Sequence, residues 1–203
     1  MISYIKGQLE YESEYLYDKK WNGKGYDKNG NIIYELNNGN GQVIEYHYGK
    51  KISYMGEYKN GKKNGKGKEY NMKNNIFFEG EYKERKKWNG KIYDLINIYE
   101  LKNGNGLFRE YSYYGNLEYE GVYLNGERNG YGKEYDASGK CRYEGEFLNG
   151  IRNGKGKEYD FDGKLRYEGE FLDGIRNGKG KEYDFDGNVK FEGEYIMSEK
   201  QVY

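Results

Sequence analysis

Apolar and polar positions alternate within short segments of the chain. In Tyr143-Glu-Gly-Glu-Phe147 an aromatic residue or a glycine alternates with an acidic residue, and Lys155-Gly-Lys-Glu-Tyr159 alternates again. A period of two is typical of a β-strand with one buried face. The turn-forming pairs Asn149-Gly150 and Asn153-Gly154 lie between the segments, and Asp160-Phe-Asp-Gly163 follows the second one. The pattern therefore predicts a β-hairpin.

The same phrase recurs at a fixed period. Tyr119, Tyr143, Tyr167 and Phe191 stand 24 residues apart, and each opens nearly the same sequence. Such a period indicates one supersecondary unit that is stacked many times. Weaker and shorter copies continue the pattern toward the N-terminus. The predicted repeats begin near Tyr11, Tyr34, Tyr54, Phe78, Tyr99, Tyr119, Tyr143 and Tyr167, with a half repeat at Phe191.

We therefore expect a single repeat domain over residues 1–203. Residues 1–10 resemble part of a unit, and residues 196–203 form a tail that caps the last strand. The expected fold is all-β, a single-layer twisted antiparallel β-meander built from tandem hairpins. Because neighbouring strands lie about 4.8 Å apart, these repeats predict a rod on the order of 80 Å long.

The lengths of the copies support strands independently. The distance from the second glycine of each GxG segment to the following tyrosine differs among copies only in steps of two residues. A strand gains or loses two residues without moving its side chains to the other face, whereas one residue reverses all of them. Helix is disfavoured because glycine recurs in every segment, at a cost of about 1 kcal/mol each relative to alanine.

Pairing the two segments across a turn predicts how charges and glycines are distributed. Acids then meet bases on one face, and glycines meet on the other, which leaves a trough for neighbouring aromatic rings. The arrangement accounts for a net charge of zero from 34 basic and 34 acidic residues. The predicted pairs are Phe147–Gly154, Glu146–Lys155, Gly145–Gly156 and Glu144–Lys157.

Composition changes the picture in two respects. The chain has 27 Tyr and 32 Gly but no Pro, so tyrosine takes the core role that Leu and Val have elsewhere. Because Cys141 is the single cysteine, an intramolecular disulfide is excluded. We interpret Cys141 as a small apolar residue that fills space between its neighbours. No stretch approaches the roughly 20 apolar residues of a membrane span, and the N-terminal sequence lacks a signal-peptide pattern. We therefore expect an intracellular, cytoplasmic protein.

The phrase YEGEF–NG–NGKG–DG resembles the MORN repeat, whose pattern runs YxGxW or YEGE[WF], then Gly, then GxG with an aromatic residue, then DG. The resemblance covers roughly residues 11–195. One difference is that Tyr159 and Tyr183 lie three residues after the second glycine instead of two, and Glu158 and Glu182 take the expected place. The resemblance implies a twisted β-rod that acts as a scaffold, a dimerisation module or an appendage of an enzyme. Lipid binding is also proposed for such repeats.

Signals for catalysis, metal or cofactor binding are missing from the sequence. The single histidine, His47, stands in a turn position, and no Cys cluster or His pair has the spacing of a zinc site. The acidic residues recur in every repeat, whereas a catalytic carboxylate pair needs one special location. Acids also neutralise the basic residues almost everywhere, which disfavours nucleic acid. We expect a protein that is not an enzyme and holds no metal or cofactor.

Two sets of residues are candidates for contact with a partner. Trp21 and Trp88 each precede Asn-Gly in a loop one residue longer than its relatives, at the position where Arg152 and Arg176 stand. They are either lids on the shortened repeats that follow or exposed aromatic anchors. The candidate interaction surface comprises Trp21, Trp88, Tyr143, Phe147, Tyr167 and Phe171. The densest basic run supplies candidate contacts to anionic lipid, or is a solvated loop; it contains Lys83, Arg85, Lys86 and Lys87.

Three functions fit these features. The first is a non-enzymatic scaffold or protein-interaction module that uses an extended aromatic and glycine surface. The second is a peripheral membrane module that binds phosphoinositide or another anionic lipid. The third is an antitoxin-like or immunity-like protein. The partner is unidentified, and the open sheet edges allow either a monomer, which we favour, or a homodimer paired edge to edge.

Overall fold

The computed structural model of the chain describes residues 2–5, 8–17, 19–47, 51–94, 97–112 and 114–201. It is 72% strand with no helix among these residues, which confirms the all-β class. The chain divides into two compact units, Met1–Asn103 (unit 1) and Gly104–Tyr203 (unit 2).

Each unit is one open antiparallel meander in which neighbours in the sheet are neighbours in the chain. This confirms the predicted succession of hairpins. The strands of unit 1 are β1 (Ile2–Ile5), β2 (Gln8–Leu16), β3 (Lys19–Tyr26), β4 (Ile32–Asn37), β5 (Asn40–Tyr46), β6 (Ile52–Lys59), β7 (Lys62–Tyr70), β8 (Ile76–Lys83), β9 (Lys86–Tyr93) and β10 (Ile98–Leu101). The strands of unit 2 are β11 (Gly106–Tyr111), β12 (Leu117–Leu124), β13 (Glu127–Tyr135), β14 (Cys141–Leu148), β15 (Ile151–Tyr159), β16 (Leu165–Leu172), β17 (Ile175–Tyr183), β18 (Val189–Ile196) and β19 (Glu199–Lys200).

The register of the β14–β15 hairpin agrees with the prediction away from the turn and differs from it next to the turn. Gly145 pairs with Gly156 as expected, but Phe147 lies opposite Arg152 instead of Gly154. The reason is that Asn149 (φ 51°) and Gly150 (φ 86°) form a tight two-residue turn. Positive φ at both positions matches the twist of the flanking strands.

The second Asn-Gly pair is therefore a bulge within β15 and not a turn. Gly154 has a φ of 97°, and it pairs with Phe171 of the next hairpin. The predicted pair Glu146–Lys155 is also wrong, because Lys155 lies opposite Glu170. The Glu146 carboxylate instead accepts a hydrogen bond from the Lys155 N–H at 3.0 Å.

The Asp-Gly connections form the second kind of turn. The Oδ1 atom of Asp160 accepts hydrogen bonds from the N–H groups of Asp162 and Lys164, both at 2.9 Å. The Lys164 ammonium then donates to the Phe185 carbonyl in the following connection at 2.9 Å. Local side-chain bonds thus shape each turn, and lysines join successive turns along one side of the sheet.

Aromatic rings form the core of unit 2. Tyr143, Phe147, Tyr167 and Phe171 are 0–3% exposed. Their rings meet edge to face, with centroids 5.2–5.3 Å apart and interplanar angles of 85–89°. Aromatic pairs favour this geometry because the positive ring edge meets the negative ring face. A single-layer sheet therefore builds its core from a continuous ladder of rings.

Paired glycines make room for that ladder. The Tyr143 ring lies over Gly145 and Gly156, so that an added Cβ on Gly156 would stand 2.4 Å from Tyr143 Oη. The hydroxyl donates to the Glu146 carbonyl at 3.1 Å. The sequence-predicted glycine trough is thus occupied by the tyrosine that opens the same strand.

The C-terminal tail folds back onto β18. In β19, Glu199 pairs with Ile196 and Lys200 pairs with Tyr195. The Lys200 ammonium lies 2.8 Å from the Glu182 carboxylate and 5.3 Å from the centre of the Phe191 ring. Val202 and Tyr203 of the predicted tail lie outside the described residues.

Deleting residues 196–203 is expected to promote self-association. The deletion removes β19 together with the Lys200–Glu182 ion pair, and it uncovers backbone groups of β18 that another strand can bind. Light scattering of the full and the shortened chain at equal concentration measures the effect. A shortened chain that stays as monodisperse as the full chain would contradict a capping role for the tail.

Candidate functional site

The rings of the aromatic core in unit 2 are buried within their own chain. Tyr143, Phe147, Tyr167 and Phe171 were candidate interaction residues, but their rings are buried by their own neighbours in the ladder. This corrects the expectation for these four residues. Their role is to hold the strands of unit 2 in register.

A row of ion pairs covers this core. The Arg152 guanidinium lies 4.3 Å from the centre of the Tyr143 ring. It binds the carboxylates of Glu134 at 2.6 Å and Glu158 at 2.9 Å. Arg176 repeats the arrangement one hairpin later, over Tyr167 and with Glu158 at 2.7 Å. The glutamate that replaces the usual aromatic residue of the repeat thus links successive arginines.

Unit 1 builds the same row with lysines. The Glu69 carboxylate lies 2.9 Å from the Lys87 ammonium and 3.2 Å from the Lys63 ammonium. Burial alone would raise the pKa of Glu69, but the two lysines outweigh it and lower the pKa from 4.5 to about 2. Lys87, a candidate lipid contact, pairs with Glu69 in this row, and its contact with lipid stays a prediction.

The tryptophans lie in strands and not in loops. Trp88 is a half-buried residue of β9, in a bulge next to Lys87, which pairs with Tyr82. Lys87 therefore holds the position of Arg152, and Trp88 comes one residue after it. The Lys83 ammonium lies 4.4 Å from the centre of the Trp88 ring. Trp21 has the same place in β3, after Lys20.

The bulges that contain the tryptophans bind the shortened repeats through polar groups. The Trp21 carbonyl accepts a hydrogen bond from the Gly39 N–H at 2.6 Å. Next to it, the Asn22 side chain accepts from the Asn38 N–H at 2.8 Å. Whether either indole also serves as an anchor for a partner stays a prediction.

The basic run surrounds the β8–β9 turn. Lys83, Arg85 and Lys86 are exposed there. Glu84 lies in the same turn and adds a negative charge beside these bases. Its carboxylate also pairs with the Lys62 ammonium at 2.8 Å.

The opposite face of unit 2 carries acids and bases, as predicted, but its ion pairs join successive hairpins. The predicted partners Glu144 and Lys157 lie opposite each other in the sheet without an ion pair among the described residues. Lys133 and Glu144 lie 3.3 Å apart, and Lys181 and Glu192 lie 3.1 Å apart. Glu144 also accepts a hydrogen bond from Tyr159 Oη at 2.6 Å. That bond and Lys133 outweigh burial and lower the pKa of the Glu144 carboxyl. The bond also places the Tyr159 side chain on this face of the sheet.

This face forms an open groove of about 1030 Å³ along β13–β18. Backbone of the paired glycines forms its floor, and charged side chains form its walls. The lining residues include Gly145, Gly156, Gly169, Gly180 and Gly193, with Tyr131, Glu144, Lys155, Lys157, Glu168, Glu170, Lys179, Lys181, Glu192 and Glu194. Sequence reasoning did not find the groove, because local pairing does not show how a sheet curves.

The glutamates and lysines of the groove differ in whether another group of the same chain bonds to their charged atoms. Glu168 accepts a hydrogen bond from Tyr183 Oη at 2.6 Å, and Glu170 accepts from the Lys179 N–H at 3.2 Å. By contrast, the ammonium groups of Lys155 and Lys179 make no ion pair with any residue that the structure describes. Lys157 is likewise without an ion pair, whereas Glu194 is the one acid of the groove with neither an ion pair nor a side-chain hydrogen bond among the described residues, so the unpaired charges of the groove are mostly cationic.

Three apolar residues stand beside the groove where other repeats carry charge. Leu107 pairs with Val122, at the positions of Lys155 and Glu170 in a later hairpin. Tyr131 likewise holds the position of Lys155 in the preceding strand pair. The sequence analysis missed them, although alignment of the repeats by strand position shows the three departures.

Three further features of the molecule concern a metal site, the cysteine and a membrane-spanning helix. No group of three His, Cys, Asp or Glu residues that suits a metal ion occurs among the described residues. Cys141 is half-buried, its Sγ lies 3.3 Å from the Tyr143 carbonyl, and burial raises the pKa of its thiol. Within the same described ranges there is also no helix of the length and apolarity needed to cross a membrane.

Comparison with known proteins agrees with the fold. The MORN repeat family matches the chain at residues 54–72, 119–141, 143–164 and 167–189. No curated protein matches the chain. MORN repeats are a non-enzymatic module and generally take part in protein or membrane-lipid interactions. With tandem antiparallel hairpins at these four positions, the chain is a MORN-repeat protein.

Proposed function

We propose that unit 2 is a protein-binding module that holds an acidic polypeptide segment in the groove of β13–β18. The observation that carries the proposal is the imbalance between satisfied and unsatisfied charges. Glu168 and Glu170 are hydrogen-bonded by their own chain, whereas the ammonium groups of Lys155 and Lys179 are unpaired among the described residues. Carboxylates of a partner supply the acceptors that these lysines lack.

The dimensions of the groove favour an extended segment. The charged part of the groove, from β14 to β18, crosses four strand intervals, which is about 19 Å at the usual spacing. An extended chain of roughly six residues covers that length. A volume of about 1030 Å³ is at the upper end of ordinary small-molecule pockets, which is consistent with a polypeptide occupant.

Fluorescence anisotropy with a labelled hexaglutamate peptide at low salt tests the proposal, with hexalysine as the opposite probe. Lys155→Gln combined with Lys179→Gln is expected to weaken hexaglutamate binding about tenfold, because each partly exposed ion pair contributes up to about 1 kcal/mol. Added salt is expected to weaken binding further. The matched control is Lys66→Gln with Lys73→Gln, which removes two lysines of unit 1.

The control protein is expected to bind hexaglutamate like the unchanged chain. Equal binding of both peptides, or no effect of the groove substitutions, would overturn the proposal. An antitoxin-like or immunity-like role is one form of such protein binding, and co-purification with the product of a neighbouring gene tests it.

Exposed Lys83, Arg85 and Lys86 support a second candidate function, contact with anionic lipid. Each base near such a surface contributes about 1 kcal/mol, and Glu84 opposes them. Sedimentation with phosphatidylserine-containing vesicles, compared with phosphatidylcholine alone, tests this candidate. Equal sedimentation with both vesicles would argue against it.

A further inference from the structure

We infer that Leu107, Val122 and Tyr131 form an apolar anchor site at one end of the groove, which selects acidic segments that carry an apolar residue. The inference rests on the proposed function of the groove. It adds which side chain the partner must contain and where that side chain lies relative to the partner's acids.

The anchor site is a local departure from an otherwise periodic surface. Leu107 pairs with Val122, as Lys155 pairs with Glu170 and Lys179 pairs with Glu194. Because the later hairpins of unit 2 share this register, their pattern would place a lysine and a glutamate at these positions. Tyr131 also replaces a lysine, since it pairs with Glu146 in the same way.

The three side chains are exposed in the described structure. Leu107 is 60% exposed, Val122 39% and Tyr131 54%. They do not extend the aromatic core, which lies on the other face of the sheet. Two residues further along the same strands and on the same face, Arg109 and Glu120 are charged and lie 2.9 Å apart. The apolar change is thus confined to one row of three consecutive strands.

The anchor site is continuous with the groove. Tyr131 lines the groove, and Val122 lies opposite the β13 bulge that precedes Tyr131. Along the same row, the next unpaired lysines are Lys155 in β15 and Lys179 in β17. Together they offer one apolar contact followed by two cationic contacts.

The spacing of these contacts predicts a pattern in the partner. Tyr131 and Lys155 are two strands apart, about 9.6 Å, and Lys179 lies about the same distance further on. Three residues of a chain in the polyproline II conformation cover about 9.3 Å, and with three residues per turn every third side chain lies on the same side of the chain. A segment that crosses the strands therefore meets these positions with an apolar residue and with acids three and six residues away from it.

Labelled heptapeptides test the inference by anisotropy. The probes are Phe-Gly-Ser-Glu-Gly-Ser-Glu, its reversed sequence, and the same two peptides with alanine in place of phenylalanine. The better of the two phenylalanine peptides is expected to bind about tenfold tighter than its alanine counterpart, because the ring contacts Tyr131 and the two aliphatic side chains.

The decisive variant combines Leu107→Lys, Val122→Glu and Tyr131→Lys, which installs residues that the same fold already carries at these positions. It is expected to bind the phenylalanine and alanine peptides equally, with alanine-peptide affinity at least that of the unchanged chain. The matched control, Leu172→Lys with Ile175→Glu, removes two similarly exposed apolar residues away from the groove. Tyr131→Lys alone serves as a milder variant, and melting curves verify that each protein is folded.

Each outcome bears on a different claim. If the unchanged chain binds both peptides equally well, the anchor site is refuted while the acidic groove stands. If it prefers phenylalanine and the triple variant keeps that preference, the anchor lies elsewhere and the inference is also refuted. If none of the acidic peptides binds, the proposed function fails, and the anchor fails with it.

Discussion

Gly169→Val is expected to lower the free energy of unfolding of unit 2 by about 3 kcal/mol or more. An added Cβ would lie 2.4 Å from Tyr167 Oη and 2.6 Å from both the Gly180 Cα and the Lys179 carbonyl oxygen. Overpacking in a core commonly costs about 1–3 kcal/mol, and here two of the three obstacles are backbone atoms of the paired strand. The strands must separate or the tyrosine ring must leave the ladder.

Urea or thermal unfolding followed by tyrosine fluorescence measures this effect. Glu168→Gln is the matched control, since it changes the adjacent residue on the other face of the same strand. Its amide oxygen retains the acceptor that Tyr183 Oη contacts at 2.6 Å, so the expected change is below about 1 kcal/mol. A larger loss for Glu168→Gln than for Gly169→Val would mean that the two faces have been assigned in reverse.

The strands and their order in the sheet were predictable, because the alternation of residues within each segment and the repeat length both indicate tandem hairpins. The alternation around Tyr143 and the 24-residue spacing each indicate strands, and the observed meander follows both. The register near the turn was not predictable from the pattern alone. Asn149-Gly150 and Asn153-Gly154 are equally good turn signals, and only the pairing of Phe147 with Arg152 shows which one turns.

The function of each face was harder to predict than its composition. Exposed aromatic residues suit an interface, and the sequence does not show that Arg152 and its ion pairs cover the Tyr143 ring. Likewise, glutamate and lysine were expected to neutralise each other everywhere on the opposite face. The structure instead bonds Glu170 to backbone and leaves Lys179 without an ion pair among the described residues, because the bulge displaces the two side chains. The apolar residues beside the groove, such as Tyr131, were readable in principle by comparing repeats position by position.

The row of ion pairs in unit 1 predicts a specific loss of stability in acid. The pKa of Glu69 is about 2 in the folded protein against an ordinary value of 4.5, so folding favours the charged carboxylate. This contribution is fully present above about pH 4.5 and is lost as the pH falls from there through about 2. A shift of this size corresponds to on the order of 3 kcal/mol. The side chain is only 14% exposed, so screening by solvent is limited.

Urea unfolding of unit 1 between pH 7 and pH 2 measures that loss, and Glu69→Gln isolates it. The variant is expected to be less stable than the unchanged chain at pH 7, because the Lys87 ammonium loses its 2.9 Å partner. The difference between the two proteins is expected to shrink steadily below about pH 4.5 as the native carboxylate becomes protonated. Glu35→Gln provides the control, since the Glu35 side chain is 48% exposed and its ion-pair partner, Lys24, lies 3.8 Å away. A difference between unchanged chain and Glu69→Gln that stays constant from pH 7 to pH 2 would show that the Glu69 charge does not stabilise the sheet.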